Sequence, residues 1–142
     1  MIRADIVAAA QRWLGTPYHH QGSCLGVGCD CFGLVRGLWR ELVGPEPEDV
    51  PAYTPDWAEA RGEEAMLGAA SRHFVGPAPL RPGAIVLFRW RAGMPAKHAG
   101  VMLSAETFAH AYDGAGKVVA GAMVPFWRRR IAGAFDFPGV SD

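Results

Sequence analysis

Cys31 stands directly after Asp30, and both follow a run rich in glycine, Gln21 to Gly28. Asp30 is a good helix N-cap, so the sequence predicts Cys31 in the first turn of a helix. Unpaired backbone N–H groups and the positive end of the helix dipole favour a thiolate there. A thiolate is a nucleophile, and the same N–H groups can receive the oxyanion formed when sulfur attacks a carbonyl. Such a nucleophile needs a base. His98 and His110 lie in two strand-like segments separated by Ser104-Ala105-Glu106. If that tripeptide is the turn, paired residues have numbers summing to 210. His98 then opposes Tyr112 and lies diagonal to His110 on the same face, about 7–8 Å away between backbones. One imidazole can orient the other beside the nucleophile. A slip of one residue would put them on opposite faces.

Other chemistry is less favoured. Cys24, Cys29 and Cys31 fall within eight residues, with no cysteine elsewhere, so at least one thiol stays unpaired. With His19 and His20 they invite a metal reading, but the spacing C-x4-C-x-C fits no common zinc pattern, and no metal or other cofactor is expected. A Cys24–Cys29 disulfide and two unbonded loop thiols are both open. No Gly-Lys-Ser/Thr follows the glycine run, so it is not a phosphate-binding loop. Arg128-Arg129-Arg130 is the only basic run and reads as a solvated or partner-facing edge.

The elements that must position these residues follow from pattern. The chain has 142 residues, half of them hydrophobic and a fifth charged, with net charge zero. That balance suits one domain over residues 1–142 and argues against a nucleic-acid coat or a polybasic membrane anchor. No uninterrupted apolar stretch of about 18 residues occurs, so no transmembrane helix is expected. Asp5 interrupts what would be the apolar region of a signal peptide, so none is expected. Ile2, Ile6, Val7, Ala10, Trp13 and Leu14 recur at helical spacing up to Gly15, and Thr16-Pro17-Tyr18 reads as extended chain. A second helix runs from Asp30 to Gly44-Pro45, with Gly33 and Gly37 letting another backbone approach. Glu46 to Thr54 is a connection, and Thr54-Pro55 starts a helical region to about Phe74. Five strands follow, at Ala84–Trp90, His98–Leu103, Thr107–Tyr112, Val118–Val124 and Ile131–Phe137. Asp113-Gly114-Ala115-Gly116 is a hairpin turn, and Pro125 opens a short helical turn or loop. Trp39, Trp57, Trp90 and Trp127 suit a core or an interface alike. Helices first, then an antiparallel meander, is an α+β layout.

Four segments taken together resemble the NlpC/P60 cysteine peptidases: Gly15-Thr16-Pro17-Tyr18, Asp30-Cys31-Phe32-Gly33-Leu34-Val35, His98-Ala99-Gly100-Val101 and the strand with His110. The resemblance spans about Ile2 to Phe137. It is nearest to the small members encoded among the tail genes of bacteriophages and gene transfer agents. It implies a papain-like α+β fold, with N-terminal helices packed on an antiparallel sheet of about five strands. By position it makes Cys31 the nucleophile, His98 the general base and later acid, and His110 the group that orients His98. Tyr18 would shape the oxyanion pocket or touch substrate, and Asp30 would cap the helix beside the nucleophile. The substrate implied is the peptidoglycan stem peptide, cut between D-γ-glutamate and the diamino acid. The partners implied are hub or tip proteins of a phage-like tail, with no nucleic acid and no membrane insertion. The implied site of action is the periplasm of a target cell, after synthesis in the cytoplasm. Rival readings are an amidase or acyl transferase using the same cysteine, and a structural tail component with a vestigial site. The chain departs from the family pattern at Phe32, where serine is commonest, at Ala84 after Pro82-Gly83, where an acid is usual, and at Gln21-Gly22-Ser23, which has one glycine where two are usual.

Overall fold

The computed structural model describes residues 1–48 and 64–142. Helix α1 (Arg3–Arg12) leads through an extended segment to a small hairpin of β1 (Ser23–Cys24) and β2 (Gly28–Cys29). Helix α2 (Cys31–Leu42) follows at once, and α3 (Ala65–His73) precedes the sheet. The sheet strands are β3 (Ile85–Arg89), β4 (Ala96–Met102), β5 (Thr107–Tyr112), β6 (Lys117–Ala122) and β7 (Ile131–Phe135), with α4 (Pro125–Arg128) between the last two. They form one antiparallel sheet in the order β6-β5-β4-β3-β7. The meander is therefore incomplete, because β7 crosses to the far edge and pairs with β3.

Several expectations are corrected in detail. The glycine-rich run folds into a two-stranded hairpin, closed by Ser23↔Cys29 and Cys24↔Gly28 pairing. His98 is the third residue of its strand, which begins at Ala96. The expected hairpin turn Asp113-Gly114-Ala115-Gly116 is present between the paired Tyr112 and Lys117, and its first three residues form a short 3-10 segment closed by Gly116 at φ 73°. Of the helical region expected from Thr54 to Phe74, the described part is α3; Trp57 and the stretch 49–63 lie outside the described residues.

Both faces of the sheet are covered, which is why β3 reads as a continuous apolar run rather than an alternating one. Ile85, Leu87, Val101 and Ala109 face the helices, against Ile6, Trp13, Leu34 and Leu38. Val86, Phe88, Met102 and Phe108 form a smaller apolar layer on the other face, beside Trp127 of α4. Leu34 and Leu38 are fully buried, each worth about 2 kcal/mol of transfer free energy. An ion-pair cluster fixes the chain ends: Asp136 takes both Arg3 (3.0 Å) and Arg81 (3.0 Å), and Asp142 takes Arg3 (2.6 Å) and Arg81 (3.2 Å).

The glycines of α2 divide in their use. At Gly33 a Cβ would stand 1.7 Å from the Gly22 carbonyl oxygen, so the hairpin backbone does approach there. At Gly37 the neighbour is the Trp13 ring, 2.2 Å from where a Cβ would be, so a side chain fills that gap and not a backbone. Gly33→Ala must push the Gly22 backbone away and disturb the segment that fixes Asp30. Overpacking of this kind costs about 1–3 kcal/mol or more, so a clear fall in melting temperature is expected by calorimetry.

Candidate active site

Asp30 caps α2. Its Oδ1 accepts the Gly33 N–H (2.7 Å) and its Oδ2 accepts the Gln21 N–H (2.8 Å). One carboxylate thus fixes both the helix start and the loop leading into it. The expected cap is present, and Cys31 is the first residue of the helix.

The sheet supplies the other half of the site. Pairing between β4 and β5 runs through Val101↔Ala109 and Met102↔Phe108, in the expected register. Toward Ala96 the ladder does not continue, so His98 and Tyr112 are not a strand pair, although their rings stay 6.2 Å apart. The start of α2 occupies that opening, and α2 packs on both strands. The Cys31 thiol donates to the Lys97 carbonyl oxygen at 3.7 Å and accepts backbone N–H groups from Ala99 and Phe32. The sulfur is therefore seated on the backbone at either side of His98.

His98 and His110 do share a face. Nε2 of His98 lies 2.8 Å from Nδ1 of His110. One nitrogen must donate and the other accept. If Nε2 of His98 carries the hydrogen, its Nδ1 keeps a free lone pair. Both rings are buried among aromatics: Phe88, Trp90 and Trp127 around His98, and Phe108, Tyr112 and Trp127 around His110. A cleft of about 190 Å³ brings Tyr18, Asp30, Cys31 and His98 together, with Phe32, Met66 and Trp90 as apolar wall. His110 stands behind His98, outside the cleft lining. All five residues singled out from sequence thus meet in one place.

The charge state differs from expectation. Burial, and then the neighbouring Asp30 carboxylate, push the Cys31 thiol up to about 12, against the two N–H groups that pull it down. Burial, and then the second imidazole, push His98 down to about 3, and burial pushes His110 down to about 4. At neutral pH the resting site holds a thiol and two neutral rings. The helix start does not by itself hold a thiolate, because desolvation outweighs it. Tyr18 is likewise pushed up to about 12, by burial and then by Cys31 and Asp30, so its phenol keeps its proton.

The two imidazoles make stability depend on pH. The unfolded chain binds protons at histidine below about pH 6.5, while the folded rings resist them. Stability is therefore present above that value and lost as pH falls toward 4 and 3. Melting temperature should decline from pH 6.5 to 5, above the carboxylate range, and His98→Gln with His110→Gln should flatten the slope.

Sequence reasoning missed Trp90, Trp127, Met66 and Lys97 as neighbours of the site. Cys24 is exposed and Cys29 buried, and both are free thiols. Alternation along the hairpin turns them to opposite faces. Arg130, read as part of a solvated edge, instead donates to the carbonyls of Trp90 (3.2 Å) and Phe126 (2.7 Å) and ties α4 to the end of β3.

No family model matches the chain. A solved NlpC/P60 family protein from Bacillus cereus ATCC 10987 superposes with a TM-score of 0.68, covering 96% of this chain and 40% of that one at 18% identity. The chain has the NlpC/P60 fold. Among curated proteins, the murein DD-endopeptidase MepS/murein LD-carboxypeptidase of Escherichia coli K12 is 30% identical over 129 residues. That match takes in 91% of this chain and 60% of the Escherichia coli protein, so the chain spans less than two thirds of that relative. The gamma-DL-glutamyl hydrolase of Bacillus subtilis strain 168 is 26% identical over 136 residues, 96% of this chain and 30% of that protein. The α+β layout expected from the sequence is thus the NlpC/P60 one, with the hairpin, α2 and β4 meeting at Cys31.

Proposed function

We propose that this chain is a cysteine peptidase of the NlpC/P60 type that hydrolyses peptidoglycan stem peptides. The reading rests on one arrangement: a sulfur bonded to the backbone on either side of His98, with His98 bonded in turn to His110. Both curated relatives carry hydrolase names, one of them a murein endopeptidase.

In this mechanism the resting pair is neutral, and the proton moves only as the bond forms. Cys31 Sγ attacks the scissile carbonyl carbon while His98 Nδ1 takes the thiol proton. The His98 imidazolium keeps its Nε2–H on the His110 lone pair. The Tyr18 phenol and the backbone N–H groups at the start of α2 receive the oxyanion. Collapse breaks the C–N bond, the leaving amine takes the proton from His98, and a thioester remains on Cys31. Water then attacks the thioester, His98 takes a proton from that water, and the proton returns to sulfur as the free carboxyl product departs. Asp30 acts as the cap that fixes Cys31 and Gln21, not as acid or base.

The bond assigned is that between D-γ-glutamate and the diamino acid. Phe32, Met66 and Trp90 make one wall of the cleft apolar, against the aliphatic part of such a side chain. Carriage on the hub or tip of a phage-like tail, with action in the periplasm of the target cell, is the delivery route that the tail-encoded resemblance suggests. Digestion of purified sacculi tests the reading. The expected products carry new amino groups on the diamino acid and no new sugar–lactate ends. New lactate ends would make the chain an amidase. Intact sacculi together with co-sedimentation of the chain with tail particles would make it a structural component.

A further inference from the structure

Trp127 sits on α4, a four-residue helix far from Cys31 in sequence, yet its ring touches both imidazoles. It stacks on His98 with centroids 5.6 Å apart at 28° and meets His110 edge-on at 5.1 Å and 82°. It therefore spans the hydrogen bond between them. Phe88 and Phe108, beneath, are fully buried, whereas Trp127 is half-buried and stands on the solvent side. Its helix is pinned: Arg130 bonds to the carbonyls of Trp90 and Phe126 and lies 3.8 Å above the Phe126 ring.

We propose that Trp127 is a positioning residue that covers the His98–His110 hydrogen bond, excludes water from it, and so keeps His98 aimed at Cys31 in the resting site. This rests on the Cys31–His98 reading above. The bond joins two imidazole rings, so a water entering beside it would compete directly for His110 Nδ1. Other titratable groups around His98 are few. Cys31 and Asp30 come from the start of α2, Tyr18 and His20 from the segment before β1, and Lys97 from its own strand. Tyr112 ends β5 and Asp113 follows it, and the His98 ring bonds to His110.

Two of the three readouts in the test need no substrate. In histidine-labelled protein followed by NMR, Trp127→Leu should move the His98 titration midpoint upward, toward the ordinary value, by about one pH unit, and Trp127→Phe by less than half of that. On a muropeptide, the leucine variant should lose about tenfold in kcat with KM within twofold, a pattern expected when only transition-state interactions are lost. A purely structural role would lower the melting temperature without moving the midpoint. The second readout is the wild type itself. The proton shared by His98 and His110 should be visible at low field and exchange slowly with water. An unmoved midpoint in a folded leucine variant overturns the proposal, and so does free-imidazole exchange in the wild type, whether or not the variant folds. If the wild type cleaves no muropeptide, the proposed function fails while the titration still decides the role of Trp127.

Discussion

Cys31→Ala should lower the rate of muropeptide cleavage by at least about 10⁴-fold while leaving the fold intact, as loss of a nucleophile does elsewhere. Cys31 is the first residue of α2, only partly buried at the margin of the core, and its sulfur bonds to β4. Its removal therefore costs chemistry and little packing, and melting temperature should stay close to the wild-type value. Cys31→Ser should fare no better than alanine. An alcohol is a weaker acid than a thiol, and the base available is an imidazole that burial holds well below its ordinary range. A hydroxyl there would donate to the Lys97 carbonyl and stay there. Turnover of a defined stem peptide by chromatography, with circular dichroism as the control for folding, checks both variants.

His98→Gln should cost nearly as much, about 10³-fold or more, and the double variant Cys31→Ala/His98→Gln should be no slower than Cys31→Ala alone. Groups that act as one unit are grossly non-additive in this way. Glutamine still offers His110 a hydrogen bond but cannot carry a thiol proton. The loss should therefore appear in kcat with KM little changed. His110→Gln should cost less, on the order of tenfold to a hundredfold, because that side chain orients the base and never meets the substrate. Independent multiplication of the Cys31 and His98 effects would mean the two do not work as a pair.

How much of this was legible before the coordinates depends on how local the cause is. Asp30 as cap and Cys31 as first helical residue follow from neighbouring residue types, and both are present. The shared face of His98 and His110 follows from a two-residue period and one turn, and the 210 register is found at Val101↔Ala109. What escaped was decided by residues distant in sequence. β4 and β5 part because the start of α2 takes the strand edge, which no pattern within either strand announces. The neutral thiol results from burial in the finished fold, whereas the helix dipole that argued for a thiolate is visible in a dozen residues. Trp127 reaches the imidazoles from α4, over the sheet face that carries Phe88 and Phe108, and the crossing of β7 to β3 that follows its helix is a property of the whole sheet. β1 and β2, two residues each, are too short to show any period.

The neutral resting state also changes which chemical probe is informative. A simple alkylating agent at neutral pH would meet the exposed Cys24 before the half-buried, protonated Cys31. Only a substrate that draws the thiol proton onto His98 singles out the reacting sulfur.

The most direct measurement is therefore intact and peptide-level mass spectrometry of the wild type, quenched in acid within milliseconds of mixing with a stem peptide. The expected result is a mass increment equal to the acyl portion of that peptide, mapped to the fragment bearing Cys31 and absent from Cys31→Ala. An acyl group found on Cys24 or Cys29, or full hydrolysis by Cys31→Ala with no adduct at all, would contradict it.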